Sequence, residues 1–207
     1  MRLPQLTACP VCHGTLTTRV QACPKCESDL SPYYEQHSAA CRLINTAANA
    51  VSRGELTEAR QALGEAERLL PAPVETIDVL RAVIALRENR LDDAQRMASA
   101  LAEDCPEKAG LMEDIAASVE RMESAKMHFN LALTSARQGS LADAAHHADK
   151  ALSLAPHLAE AWRLAVQIAL KREEFDAAER YLLRGAELLP DDSYLTPLAR
   201  AIKIAKR

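Results

Sequence analysis

The chain has 207 residues, enough for one large domain or two modest ones. Apolar residues make up 48% and charged residues 26%, the balance of a soluble globular protein, while an aromatic content of only 3% argues against a β-sandwich or barrel. A formal net charge of −4 argues against general nucleic-acid affinity, and no apolar run approaches the roughly 18–20 residues that span a bilayer.

The opening residues, MRLPQLTACP, contain no apolar signal core, so a cytoplasmic setting is expected. Cysteines follow at once. Cys9-Pro10-Val11-Cys12 and Cys23-Pro24-Lys25-Cys26 are two C-x-x-C pairs, each followed four residues later by a leucine, Leu16 and Leu30. Each pair turns two sulfurs toward one point, and four soft thiolates suit a tetrahedral zinc ion. Cys9-x-x-Cys12-His13 also spells a haem attachment site, but that chemistry needs export and leaves the second pair unexplained. A thioredoxin-like redox role needs a βαβ context that the sequence lacks. Disulfides belong to secreted mini-domains. The twin pairs resemble the knuckles of the zinc ribbon family over residues 6–31. That resemblance implies a domain at 1–31 with one structural Zn²⁺ on Cys9, Cys12, Cys23 and Cys26. A closed four-thiolate shell leaves no position for water, so the metal's expected role is to fold a segment too small to build its own core. Over residues 1–37 the cations Arg2, Arg19 and Lys25 match the anions Glu27, Asp29 and Glu35, which again speaks against nucleic-acid binding.

Residues 32–39 read as a short linker. Beyond it the sequence turns rich in Ala, Leu, Arg and Glu, all strong helix formers. One phrase then recurs: Gly54-Glu-Leu56-x-x-Ala59, Asn89-Arg-Leu91-x-x-Ala94, Gly139-Ser-Leu141-x-x-Ala144 and Glu173-Glu-Phe175-x-x-Ala178. A proline stands at the same distance after each start, at Pro71, Pro106, Pro156 and Pro190. The first residue of each phrase ends a helix and turns the chain. The Leu or Phe and the Ala begin a second helix that packs on the first, and the proline stops it. This resembles the tetratricopeptide repeat, a helix–turn–helix unit of about 34 residues. The resemblance implies a mostly α fold of antiparallel helix pairs over residues 40–207, with repeats at 40–73, 75–108, 125–158 and 159–192. Trp162 occupies the family's aromatic site early in the first helix; Leu43, Asp78 and His128 depart from it. Repeat two departs furthest, with Leu101 where a small residue is usual.

Residues 109–124 fall outside the repeats. Leu111, Ile115, Val119 and Met122 recur at helical spacing, which predicts an extra amphipathic helix there. With no breaker before repeat three, the segment either runs on as one long helix to about Arg137 or forms half of a degenerate repeat. At the end, Asp192 or Ser193 is placed to cap a closing helix over 193–207 that carries Leu198, Ile202 and Ile204.

The family resemblance implies that the first helices line a surface for another polypeptide. Its groove positions fall on Ile44, Asn45 and Ala48; Val79, Leu80, Val83 and Leu86; Lys126, Phe129, Asn130 and Leu133; and Arg163, Gln167 and Lys171. The family's carboxylate clamp is not rebuilt here, because Ile44 and Ala48 stand at its positions. A helix or an internal peptide is therefore the expected ligand. His146 and His147 are adjacent on a helix and point about 100° apart, so they form no metal site by themselves. No nucleotide-loop, nucleophile-elbow or zinc-protease motif is present. The expected protein is thus a non-enzymatic adaptor or scaffold with a zinc ribbon. Rival readings are a nucleic-acid- or transcription-associated ribbon module and a regulatory accessory subunit of an enzyme. Self-association through repeat edges or the extra helix is a further expected use.

Overall fold

A computed structural model of the chain describes residues 8–18, 20–70, 74–197 and 199–200. These residues build eight helices: α1 Ser31–Arg53, α2 Leu56–Leu69, α3 Glu75–Arg87, α4 Leu91–Ala100, α5 Lys108–Arg137, α6 Leu141–Leu154, α7 Ala159–Lys171 and α8 Phe175–Leu188. A further helical turn follows at 195–197 and 199–200. Among the described residues, β-structure is confined to two isolated bridges, Ala8 with Thr15 and Ala22 with Asp29. The fold is mostly α, built of tetratricopeptide-like antiparallel pairs. The chain forms two compact units, Met1–Ile115 and Ala116–Arg207, whose boundary falls within α5.

The recurrent phrase makes the same turn four times. Gly54, Asn89, Gly139 and Glu173 all adopt left-handed backbone, with φ of 81°, 58°, 82° and 61°. In each case the next residue's N–H reaches back to a carbonyl five residues earlier: Glu55 to Ala50, Arg90 to Ala85, Ser140 to Ser135 and Glu174 to Ala169, all at 2.9 Å. This is the Schellman closure of a helix. The fourth residue of the following helix is then Ala59, Ala94, Ala144 or Ala178, each buried. A methyl side chain at that point lets the two helix backbones approach closely.

In the first unit, α1 pairs with α2 and α3 with α4. The core of the first pair draws on Ala40, Ile44, Ala47, Ala59, Leu63 and Ala66, with Ile77, Leu80 and Ile84 from α3. An ion pair crosses from α2 to α3, where Arg81 donates to both carboxylate oxygens of Glu67 at 3.1 and 2.6 Å. In the second unit, Ala132 on α5, Ala144 and Ala148 on α6, Trp162 and Ala165 on α7, Leu182 on α8 and Leu195 beyond it share one core.

Two features differ from the sequence expectation, and a third settles a choice it left open. The stretch read as a linker, 32–39, is the first two turns of α1. Pro32 enters at the helix start, where its missing N–H costs nothing, Asp29 Oδ1 accepts the Ser31 N–H at 2.9 Å, and Tyr33 and Tyr34 pack on the cysteine cluster. The open choice concerns residues 109–124, which take the long-helix path: α5 runs unbroken for 30 residues from Lys108 to Arg137. In repeat two, α4 has 10 residues where α2, α6 and α8 have 14 each. The closing helix is described only to residue 200; Leu198, Ile202 and Ile204 lie outside the described residues.

Candidate metal centre and repeat surface

The two cysteine pairs fold into identical knuckles. Cys9 N–H donates to the Gly14 carbonyl at 2.8 Å and His13 N–H to the Cys9 carbonyl at 2.9 Å. Cys23 N–H donates to the Ser28 carbonyl at 2.9 Å and Glu27 N–H to the Cys23 carbonyl at 2.8 Å. The fifth residue of each knuckle, His13 or Glu27, takes left-handed backbone, with φ of 56° and 60°. The matching bridges, Ala8 with Thr15 and Ala22 with Asp29, close the base of each. Equal sequence spacing has thus produced equal hydrogen bonding.

The knuckles bring the four sulfurs together, with all Sγ atoms within 4.8 Å of one another. Cys9 and Cys26 are 3.7 Å apart, as are Cys12 and Cys23. A disulfide would require roughly 2.05 Å, and all six cysteines of the chain are free thiols. A tetrahedron with metal–sulfur bonds of about 2.3 Å has edges of roughly 3.8 Å. The donor chemistry and the spacing therefore fit a thiolate-bound metal ion. Cys9 and Cys23 are buried, Cys12 and Cys26 half-buried, and Leu16 and Leu30 close over the cluster.

Local dipoles favour thiolates here. The Cys12 backbone N–H lowers the Cys9 pKa, against the opposing effect of burial. Cys26 is lowered to about 6, first by the Ser28 hydroxyl and then by the Ser28 amide. In the protonated cluster the Gly14 amide also favours a thiolate at Cys12. Cys26, burial and the other two sulfurs outweigh it and hold the Cys12 proton, at about 12. A cation at the centre would remove that competition by electrostatics.

The ribbon is tied to α1. Tyr34 Oη accepts the Val20 N–H at 3.3 Å, the Leu30 N–H donates to the Gln21 carbonyl at 2.8 Å, and Tyr33 and Tyr34 pack against the cysteine and leucine cluster. Cys41, one turn beyond His37 on α1, has its Sγ 3.5 Å from His37 Nδ1, and burial raises its pKa. Cys105 is buried with its thiol toward Glu107.

The expected partner-facing residues divide into two groups. Ile44 and Leu80 belong to the core of the first unit, and Val79 is buried as well. They are covered by the chain itself and do not face a partner, because α1 and α3 turn these apolar positions toward the neighbouring helices. Arg163 is half-buried and donates to Asp192 at 2.6 Å, so it serves an internal ion pair. Val83, Phe129 and Leu133 are half-buried against the cores. Asn45, Lys126, Asn130, Gln167 and Lys171 are exposed. Beside them in the second unit lie large apolar side chains left in solvent, Met127, Leu131, Leu170 and Phe175. Sequence reading missed Met127 and Leu131. Their signal was the four-residue spacing along α5, masked by the general Ala/Leu richness of the helix.

The second unit also carries a match to a known repeat family. Residues 135–202 match the family model of the tetratricopeptide repeat. No curated protein matches the chain. The match covers about a third of the sequence. It takes in α6, α7, α8 and the closing turn, and it includes the turns at Gly139 and Glu173. In the tetratricopeptide register, Trp162 and Tyr181 form the inter-helix contact of repeat four, with ring centroids 6.3 Å apart. The same register in repeat three places His128 against His147, with Nδ1 atoms 3.2 Å apart. Only the adjacent pair His146-His147 stood out in the sequence. The contact between His128 and His147 is legible only through the repeat, as the shifted copy of Trp162 and Tyr181. Tetratricopeptide repeats generally bind protein partners.

Proposed function

We propose that the protein is a non-enzymatic adaptor that binds another polypeptide on its helical-repeat surface, with a zinc ion held by Cys9, Cys12, Cys23 and Cys26 as the folding element of its N-terminus. The repeat match at 135–202 supports the first half. The partner strip in the second unit consists of Lys126, Met127, Asn130 and Leu131 on α5 together with Gln167, Leu170 and Lys171 on α7. Exposed apolar side chains set among polar and cationic ones suit an amphipathic helix or an extended peptide. In the first unit, Asn45 and Val83 remain as contacts. Six free thiols accord with a reducing, cytoplasmic setting, and no described helix is long and apolar enough to cross a membrane.

The single observation that carries the zinc assignment is the 3.7 Å spacing of the paired sulfurs. Four thiolates close the coordination shell, so zinc here supports structure and not turnover. It stiffens the two knuckles, and through Tyr33 and Tyr34 it orders the first turns of α1.

Two experiments test this reading. Metal analysis of the purified protein should return about one zinc per chain, and Cys23→Ser should abolish it. Zinc retained without Cys23, or none in the wild type, rejects the site. For the adaptor role, the tagged full chain is recovered from its own cells beside the Met127→Ser, Leu131→Ser variant. The variant should keep its helical circular dichroism and lose specific co-purifying proteins. An unchanged set of partners would remove α5 from the binding surface.

A further inference from the structure

His128 on α5 and His147 on α6 face each other with Nδ1 atoms 3.2 Å apart and ring centroids 5.4 Å apart, the rings inclined by 24°. The gap between those two separations is close to twice the distance from an imidazole centre to its nitrogen. The Nδ1 atoms therefore lie between the two rings and point at each other. That is the arrangement of a direct N–H···N hydrogen bond: one ring donates its Nδ1–H and the other accepts on its Nδ1 lone pair. A metal ion is not the better occupant, because the one described cluster of three or more ligating side chains is the cysteine set.

We propose that the His128–His147 pair is a proton-operated latch between α5 and α6. In repeat four the same position is held by Trp162 and Tyr181, which do not titrate near neutrality. In repeat three it is held by two groups that do. The latch is closed when the pair shares one Nδ1 hydrogen. When both rings are protonated, both Nδ1 atoms carry hydrogens, the hydrogen bond has no acceptor, and two positive charges stand face to face.

The surroundings resist that second proton. Burial lowers the His128 pKa, followed by the Lys150 ammonium and by His147 and His146, all three on α6. On α5 the residues one turn either side of His128, Ser124, Ala125, Leu131 and Ala132, carry no charge. Asp149, the carboxylate of α6 closest to the pair in sequence, is committed to Tyr181 on α8, whose hydroxyl donates to it at 2.6 Å. With the His128 pKa lowered, the folded state binds fewer protons at that ring than the unfolded chain does as the pH falls. A depressed folded-state pKa means that the stabilisation is fully present above the unfolded value, near about 6.5, and is lost as the pH drops below it. Opening the latch would separate α5 from α6 and reshape the strip that carries Lys126, Met127, Asn130 and Leu131. That last consequence rests on the adaptor reading; the latch does not.

The test is urea unfolding of the full-length protein followed by the fluorescence of Trp162, which lies in the core of the second unit. Wild type is compared with the His128→Phe, His147→Tyr variant, which copies the aromatic character of repeat four without adding a second tryptophan. From about pH 7.5 to about pH 5, the wild-type unfolding constant should rise roughly tenfold more than that of the variant. Parallel pH profiles, or a flat wild-type profile, would overturn the proposal. Should the variant not fold, imidazole ¹⁵N chemical shifts of the wild type decide the matter. Two coupled steps with His128 below the free-histidine range support the latch, and two independent ordinary titrations reject it.

Discussion

Repeats two and four share one register and differ in what fills it. In repeat four, Trp162 is buried between α7 and α8, its indole N–H donates to the Pro156 carbonyl at 2.8 Å, and Tyr181 and Gly185 face it across the pair. In repeat two the corresponding residues are Asp78, Met97 and Leu101. An aspartate cannot enter that space without giving up its hydration, and its side chain stays 49% exposed, 4.0 Å from Arg81. Leu101 turns inward instead and is buried. A cavity of about 370 Å³ remains, lined by Glu75, Asp78, Arg81, Met97 and Leu101, and α4 stops a turn short, its end carbonyl at Leu101 taken by Lys108 Nζ at 2.8 Å. The difference teaches that the second helix keeps its full length of 14 residues where the first-helix position holds a side chain that can be covered, Leu43, His128 or Trp162, and shortens to 10 where it holds a charged aspartate. A coverable side chain there gives the last turn a surface to pack on; a hydrated carboxylate does not, and the chain leaves early.

The sharpest way to break this comparison is to remove the aromatic where it exists. Trp162→Ala should destabilise the second unit by about 3–5 kcal/mol, as large-to-small core changes do, while Asp78→Ala should move the first unit by less than about 0.5 kcal/mol. Chemical denaturation of both variants checks the pair, and equal effects would discard the explanation. Next in size is the cap that seats the closing turn. Asp192 Oδ1 accepts the N–H groups of Tyr194 and Leu195 at 2.9 and 2.8 Å, while its other oxygen takes Arg163. Asp192→Ala should cost about 1–2 kcal/mol as a lost cap, with Trp162 fluorescence as the readout. Burial acts to raise the Asp192 pKa, but the Leu195 amide, the Arg163 guanidinium and the Tyr194 amide outweigh it, so the net shift is downward. This contribution is therefore present above the unfolded carboxylate value, near about 3.9, and fades as the pH falls through the lower folded one. The acid limb of a stability profile should flatten in the variant.

Gly185→Ala sharpens the same contrast from the other side of the indole. A Cβ there would sit 3.0 Å from Leu195 Cδ1 and 3.1 Å from Trp162 Cγ. The leucine tip can yield but the indole cannot, so a melting experiment should show a loss of about 1–2 kcal/mol. The smallest effect belongs to the turns. Glu173 holds a left-handed conformation that Gly54 and Gly139 hold without strain. Glu173→Gly should stabilise the second unit by up to about 1 kcal/mol, because L-residues pay roughly that much in this region. A loss of stability would show that the glutamate side chain does more than occupy the turn.

Much of the fold was legible because its signals are local. The knuckles follow from two C-x-x-C pairs at equal spacing, and the four hairpins follow from a left-handed turn residue with an alanine five positions later. The linker over 32–39 was misread because Pro-Tyr-Tyr resembles a break. The two tyrosines are instead the apolar contacts that let α1 begin against the ribbon. Among the candidate site residues, the metal set needed only spacing, whereas Ile44, Val79 and Leu80 needed to be seen covered before they could be set aside. Family positions say which side of a helix a residue occupies, not whether a neighbouring helix already lies on it.

The amino-acid order by itself determined the local geometry: where each helix turns back, and which four sulfurs converge. Both depend on contacts within a few residues, so a short window of sequence contains their cause. Only the tertiary structure decided that α5 runs on as one helix, that Arg163 answers Asp192, and that His128 meets His147 nose to nose. Those outcomes depend on surfaces brought together from separate helices, and their energies come from burial and from facing charges that no single segment possesses.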